Sequence, residues 1–92
     1  MTGEAAEGLA IQALTYLAED GERLSRFLAV TGLGPQQIRA ASREPGFLAG
    51  VLEHVAGDER LLTAFAANSD VNPADIGNAL AALSGHWERE IP

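Results

Sequence analysis

The sequence contains no cysteine and no lysine, and its aromatic residues are three Phe, one Tyr and one Trp. Without cysteine the chain forms no disulfide and carries no thiolate nucleophile or thiolate metal ligand. No apolar run approaches the roughly 20 residues that cross a bilayer. The first seven residues hold two Glu and no base, unlike a signal peptide. We therefore expect a cytoplasmic protein without a membrane segment.

Basic residues are scarce as well. The chain has six Arg and thirteen acidic residues, and its formal net charge is −7. The charge is unevenly distributed along the chain. Residues 1–22 hold five acids and no base, whereas residues 23–43 hold no acid and four bases, which are Arg23, Arg26, Arg39 and Arg43. An acidic molecule repels nucleic acid and anionic membranes, although a local arginine patch can bind a phosphate or an acidic partner.

An internal repeat is the strongest pattern that the chain does contain. The segment Asp20–Pro35, DGERLSRFLAVTGLGP, is matched without a gap 38 residues later by Asp58–Pro73, DERLLTAFAANSDVNP. The matched positions are mostly apolar and recur at helical spacing. They pair Leu24 with Leu62, Phe27 with Phe65, Leu33 with Val71, Ile38 with Ile76 and Ala41 with Ala79. Two copies are too few for a solenoid, so we expect two helical units that close face to face.

A chain of 92 residues forms one domain with one core. We predict an all-α fold, a compact orthogonal bundle of five to six short helices over residues 1–85, followed by a C-terminal tail, 86–92. The capping residues and apolar stripes place helices at about 3–19, 21–30, just after Pro35, at 45–56, and after Asp58 and Asn72. The stripe of the fourth of these is the clearest, so we expect that helix to be central and buried.

Catalysis finds little support in the residue pattern. His54 and Asp58 are four apart, but Gly57 is expected to end the helix between them, and a zinc site gathers three or four ligands. The serines lack a nucleophile elbow, and no phosphate loop is present. We therefore expect no catalytic residues, no metal site and no cofactor.

A helix-turn-helix is the more serious alternative, because Leu28, Gly32, Leu33, Ile38 and Ala41 fall where that motif places apolar residues around its turn glycine. Arg39 and Arg43 would lie on or just after its second helix, and Arg23 and Arg26 could contact phosphates. The negative net charge and the shortness of that second helix argue against DNA binding.

The remaining class is a small acidic adaptor that binds another protein. Its candidate surfaces are the arginine patch, Arg23, Arg26, Arg39 and Arg43, and the tail with Trp87, which either folds back onto the domain or serves as a free binding motif. We expect an unidentified protein partner, no nucleic acid, no membrane, and a monomer or weak homodimer.

Four segments of the chain, taken in order, carry a resemblance to a known family. They are ALTYLAED, ERLSRFLAVTGLGPQQIRAA, PGFLAGVLEHVAGDERLLTAFAAN and NPADIGNALAAL. Together they resemble the bacterial family called domain of unknown function 3572 over about Leu9–Leu83. The resemblance implies a small cytosolic protein of alphaproteobacteria. It supplies no catalytic residues, because the family has no known activity.

Overall fold

The computed structural model of the chain describes residues 2–41 and 44–88, without the side chains of Pro35, Arg39, Pro45 and residues 84–88. The described residues form helices and connecting turns only. In chain order the helices are α1 (Gly3–Ala18), α2 (Gly21–Thr31), a 3₁₀ turn (Pro35–Gln37), α3 (Ile38–Ala41), α4 (Pro45–Ala56), α5 (Glu59–Asn68) and α6 (Pro73–Glu88). The all-α bundle is thus confirmed.

Capping residues set most of the helix starts where the sequence predicted them. The Thr2 hydroxyl accepts a hydrogen bond from the Ala5 amide at 3.1 Å, and the Asn72 side chain accepts one from the Ala74 amide at 3.0 Å. Such bonds satisfy backbone donors that the first helical turn leaves without a partner. No helix in the described parts of the chain is both long and apolar enough to cross a membrane.

The core is formed mainly by three helices, α1, α4 and α6, which pack against one another. Each contributes the apolar stripe that its sequence predicted. The buried members are Ala6, Leu9, Ala10, Ala13, Tyr16 and Leu17 from α1, Leu48, Val51, Leu52 and Val55 from α4, and Ile76, Ala79 and Leu83 from α6. Helix α4, the fourth predicted helix, is therefore buried as expected, but it shares the centre of the core with α1 and α6.

The repeat is visible in the backbone of the two halves. Asp20 and Asp58 cap α2 and α5 in the same way, each side chain accepting hydrogen bonds from the amides two and three residues later. Gly32 and Asp70, also 38 residues apart, both follow their helices in the left-handed conformation, with φ of 75° and 53°. Apart from glycine, Asp is one of the few residues that adopt the left-handed conformation.

Aromatic side chains join the two halves reciprocally. Phe27 on α2 packs edge-on against His54 on α4, with ring centroids 5.2 Å apart. Phe65 on α5 packs against Tyr16 on α1 at 5.5 Å. Because Tyr16 and His54 are equivalent in the repeat, each half inserts its phenylalanine against the matching residue of the other. The like-patterned surfaces of the two halves therefore bury each other.

Two details differ from the sequence-based expectation. The helical spacing of Leu24, Phe27 and Leu28 predicts Thr31 on the same inner side of α2. Thr31 is nevertheless exposed, because it is the last helical residue and its hydroxyl donates to the Phe27 carbonyl at 3.0 Å. The segment after Gly85 was expected to lack helical structure, whereas the backbone of α6 continues to Glu88. Residues 89–92 lie outside the described residues, so the division into a 1–85 domain and an 86–92 tail stays a prediction.

Candidate partner-binding surface

Helix α2 lies at the periphery of the bundle and carries the first two arginines of the predicted patch. Of its side chains only Phe27 is fully buried. Arg23 and Arg26 are three residues apart, which places them on one flank of the helix. The flank is held against the rest of the molecule through Arg23.

Arg23 is engaged within the protein. Its guanidinium lies over the Tyr16 ring, 4.3 Å from the centroid, and its Nε is 3.8 Å from Asp20 Oδ2. A cation over an aromatic face at a half-exposed site contributes about 0.5–1 kcal/mol. Arg23 therefore helps to fix α2 against α1, and a partner would reach it only at its exposed edge.

Arg26 and Val30, one helical turn apart, form the exposed part of the same flank. Arg26 is exposed and makes no ion pair within the described residues. The Val30 side chain is 70% exposed, and the other large apolar residue exposed in the described part of the chain, Ile11 on α1, is 48% exposed. An aliphatic side chain so open to water, beside a cation, is a feature that a docking partner could cover.

The exposure of Val30 was not among the sequence-based expectations. A helical wheel of α2 nevertheless predicts that Val30 is exposed. Val30 falls between Arg23 and Arg26 and away from the stripe formed by Leu24, Phe27 and Leu28.

His54 lies close to this flank and is electrostatically coupled to it. Burial lowers its pKa below the ordinary value of 6.5, the Asp58 carboxylate acts in the opposite direction, and the Arg26 cation lowers it further. The neutral imidazole is therefore the dominant form at pH 7. Its contact with Phe27 gives it a packing role between α4 and α2.

The segment after α2 buries one of its apolar residues less than the second half does. Ile38 is half-buried, whereas its repeat equivalent Ile76 is fully buried; Leu33 and its equivalent Val71 are both half-buried. Val71 packs against the core. Only residues 32–34 separate α2 from the 3₁₀ turn. We call the junction from Val30 to Ile38, which also contains Leu33, the α2–α3 corner.

The repeat match predicts that Ile38 and Ala41 face inward as Ile76 and Ala79 do, but in the structure both are only half-buried. Helix α6, with 16 residues, lies across α1 and α4, whereas α3 has four residues and makes few contacts outside the adjoining 3₁₀ turn. A helix of one turn cannot reach across the α1–α4 pair, because it rises only about 6 Å. The side chains of the first half's third helix are therefore left partly open to solvent.

The other predicted site residues are only partly placed. The Arg39 backbone belongs to α3, directly after Ile38, and the Trp87 backbone belongs to the last turn of α6, but neither side chain is among those described. Arg43 lies outside the described residues. The structure brings Arg23 and Arg26 together, whereas the roles of Arg39, Arg43 and Trp87 stay predictions.

Groups that could hold a metal ion or enclose a substrate were sought in residues 2–41 and 44–88. No group of three or more His, Asp or Glu side chains gathers there as a metal ion would require, and no charged side chain is buried. A shallow, open depression on α5, lined by Glu59, Arg60, Thr63, Ala64 and Ala67, offers little enclosure for a substrate. Helix α3 is too short to lie in a major groove as a recognition helix does.

The fold and this surface define a class: a small, acidic, all-α bundle with an exposed arginine-bearing helix. The model of a family described as "Protein of unknown function (DUF3572)" matches residues 3–86, and the chain belongs to that family. No curated protein and no solved structure matches the chain.

Proposed function

We propose that this protein is a protein–protein interaction module, an adaptor or regulatory accessory without catalysis. It acts in the cytoplasm as a monomer or weak homodimer. Its partner is a protein that docks on the α2–α3 corner and on the neighbouring Arg26, with Arg39 and Arg43 contributing from the same stretch of the chain. Arg23 supports the surface by fixing α2 through Tyr16.

The observation that carries this proposal is the difference between the two halves. Ile76 and Ala79 of the second half are fully buried, while their equivalents Ile38 and Ala41 in the first half are only half-buried and Val30 is 70% exposed. Apolar side chains left in water forgo roughly 25 cal/mol for each Å² that a partner would cover. A partner that covered the corner would recover this free energy, and the arginines around it would fix the partner's orientation.

The test is capture of partners from a native lysate on immobilised wild-type protein, compared with two charge-reversal variants, Arg26→Glu and Arg60→Glu. Both replace an exposed helical arginine, and only Arg26 borders the corner. We expect Arg26→Glu to reduce the captured partner at least about fivefold, because loss of a charged contact at an interface costs about 1 kcal/mol or more. Arg60→Glu is expected to stay within about twofold.

Equal capture by both variants would contradict the proposal. The double variant Arg39→Glu with Arg43→Glu is expected to weaken the same partner while keeping the helical circular dichroism of the wild type. A loss of helical signal in that variant would instead show that these arginines are structural. Retardation of random duplex DNA at low salt and micromolar protein would favour the helix-turn-helix alternative over a protein partner.

A further inference from the structure

We infer that His54 makes the docking of α2 on the bundle sensitive to mild acid, because uptake of a proton by its imidazole favours the opening of α2. Helix α5, the equivalent helix of the second half, does not respond in this way. Such an opening concerns how α2 is held, so it goes beyond the proposed function and does not depend on whether the α2–α3 corner binds a partner.

Helix α2 is anchored to α4 through aromatic contacts. Phe27 is the only fully buried side chain of α2, and its two aromatic neighbours among the described side chains both lie on α4. The ring centroid of His54 is 5.2 Å from that of Phe27 at an interplanar angle of 71°, and the centroid of Phe47 is 5.9 Å away at 72°. A change in the His54 ring therefore acts on the side chain that anchors α2.

Protonation of His54 is unfavourable while α2 is docked. Among the described residues, the charged groups that act on the imidazole are Arg26 on α2 and Asp58 at the start of α5. Partial burial lowers the pKa of His54, the Asp58 carboxylate raises it, and the Arg26 cation lowers it further. A proton on the docked imidazole is therefore opposed both by lost hydration and by a like charge.

Opening of α2 would relieve these two effects together. Phe27 and Arg26 belong to α2 and would move away with it. Asp58 would remain, because only Gly57 lies between it and the end of α4. The protonated ring would thus regain water and lose the neighbouring cation, while it keeps the neighbouring carboxylate. Proton uptake consequently favours the open position of α2.

The second half provides the comparison. Phe65 of α5 packs against Tyr16, the residue equivalent to His54, with ring centroids 5.5 Å apart. Both α2 and α5 are capped by an Asp side chain in the same way. Histidine changes its charge between about pH 5 and 8, whereas tyrosine does not. The two anchoring phenylalanines therefore differ in that only Phe27 rests on a ring that gains a charge in mild acid.

The direction of the effect follows from the two protonation equilibria. The pKa of His54 lies below 6.5 while α2 is docked, so the open state takes up the proton at a higher pH. The preference for docking is complete above pH 6.5 and is lost as the pH falls through the docked-state pKa. A difference of one pKa unit between the two states would raise the opening constant at most about tenfold.

The experiment measures amide hydrogen exchange of the full chain at about pH 7.5 and about pH 5.5. Each rate is divided by the rate of an unstructured amide at the same pH, which removes the direct effect of pH on exchange and leaves a protection factor. We expect the protection factors of residues 25–30 in α2 to fall about two- to tenfold at the lower pH. Those of residues 63–68 in α5 should change by less than about 1.5-fold.

Three variants identify the group that responds. His54→Tyr installs the ring of the equivalent position, and His54→Gln removes the ring while keeping a neutral polar side chain. Both should abolish the fall in α2, and the two pH values are compared within each variant so that its own stability cancels. His86→Gln removes the other histidine of the chain and should leave the fall unchanged.

Unchanged protection of α2 in the wild type at the lower pH would overturn the inference. An equal fall in α2 and α5 would overturn it as well, since acid would then act on the whole bundle. The same holds for a fall that persists in the His54 variants or disappears in His86→Gln, because another group would then be responsible. If His54→Tyr does not fold, His54→Gln decides alone.

Discussion

At the scale of single residues, Asp70 shows how the two copies reach the same backbone with different side chains. Gly32 supplies the left-handed conformation after α2 without steric cost, and Asp70 supplies it after α5. The Val71 amide then donates to the Ala66 carbonyl at 2.9 Å, which closes the end of the helix. The repeat therefore preserves a backbone turn even where its residue type changes.

The lowered pKa of His54 leads to a prediction about how stability depends on pH. Its pKa in the folded protein lies below 6.5, its value in the unfolded chain, so the unfolded state binds more protons in the interval between the two values. The contribution of neutral His54 to the free energy of unfolding is present above pH 6.5 and is lost as the pH falls through the folded-state pKa. We expect an NMR titration of the His54 ring to give a midpoint below 6.5.

Two variants test the causes of this shift separately. Arg26→Gln removes a cation and should raise the midpoint of His54, whereas Asp58→Asn removes an anion and should lower it. Asparagine remains a good N-cap, so the second variant is expected to keep α5 intact. A midpoint at or above 6.5 in the wild type would show that His54 is not held in its neutral form.

At the scale of helices, Phe27 and Phe65 are the side chains through which α2 and α5 hold the opposite half. Both are fully buried, and each contacts an aromatic residue at the equivalent place of the other half. We predict that Phe27→Ala and Phe65→Ala each lower the free energy of unfolding by about 3–5 kcal/mol, a typical cost for truncating a buried phenylalanine. Urea unfolding followed by circular dichroism measures both.

The two values should be similar, because the environments are equivalent. Phe47→Ala, which truncates a half-buried ring 5.9 Å from Phe27, serves as the milder comparison. If one of the two core variants lost less than about 1 kcal/mol, the reciprocal packing of the halves would not be the feature that stabilises the fold.

The sequence was informative about helices because their signals are local. The caps at Thr2, Asp20 and Asp58 depend on residues two or three positions away, and the stripes depend on spacing within one element. The exposure of Val30 was also contained in the wheel of α2. The helical backbone of residues 86–88 was missed because that segment lacks an apolar stripe, which is the signal the prediction relied on.

The α2–α3 corner could not be predicted in the same way. The match of Ile38 with Ile76 and of Ala41 with Ala79 predicts equal burial, yet burial depends on whether a helix is long enough to cross its neighbours. That length is set by Glu44 and Pro45, where the next helix begins, and its consequence appears only in the packed molecule. The packing of Phe27 against His54 could not be predicted either, because it is a contact between two helices.

At the scale of the whole molecule, the chain is a pair of like-patterned halves, and only the second half has a complete third helix. The first half contributes α1 to the core and leaves its third helix at the edge, next to the arginines that offset part of the acidic charge. One copy of the repeat therefore completes the fold, and the other presents a surface. The proposed function depends on this division of roles.

Native-state hydrogen exchange of the free protein tests this division most directly, through the amides of Ile38–Ala41 and of their repeat equivalents in α6, Ile76–Ala79. The account predicts that the α6 amides exchange only through global unfolding, and that the α3 amides exchange at least about a hundredfold faster through local opening. Equal protection of the two sets would contradict it, because the third helix of the first half would then be as firmly packed as that of the second.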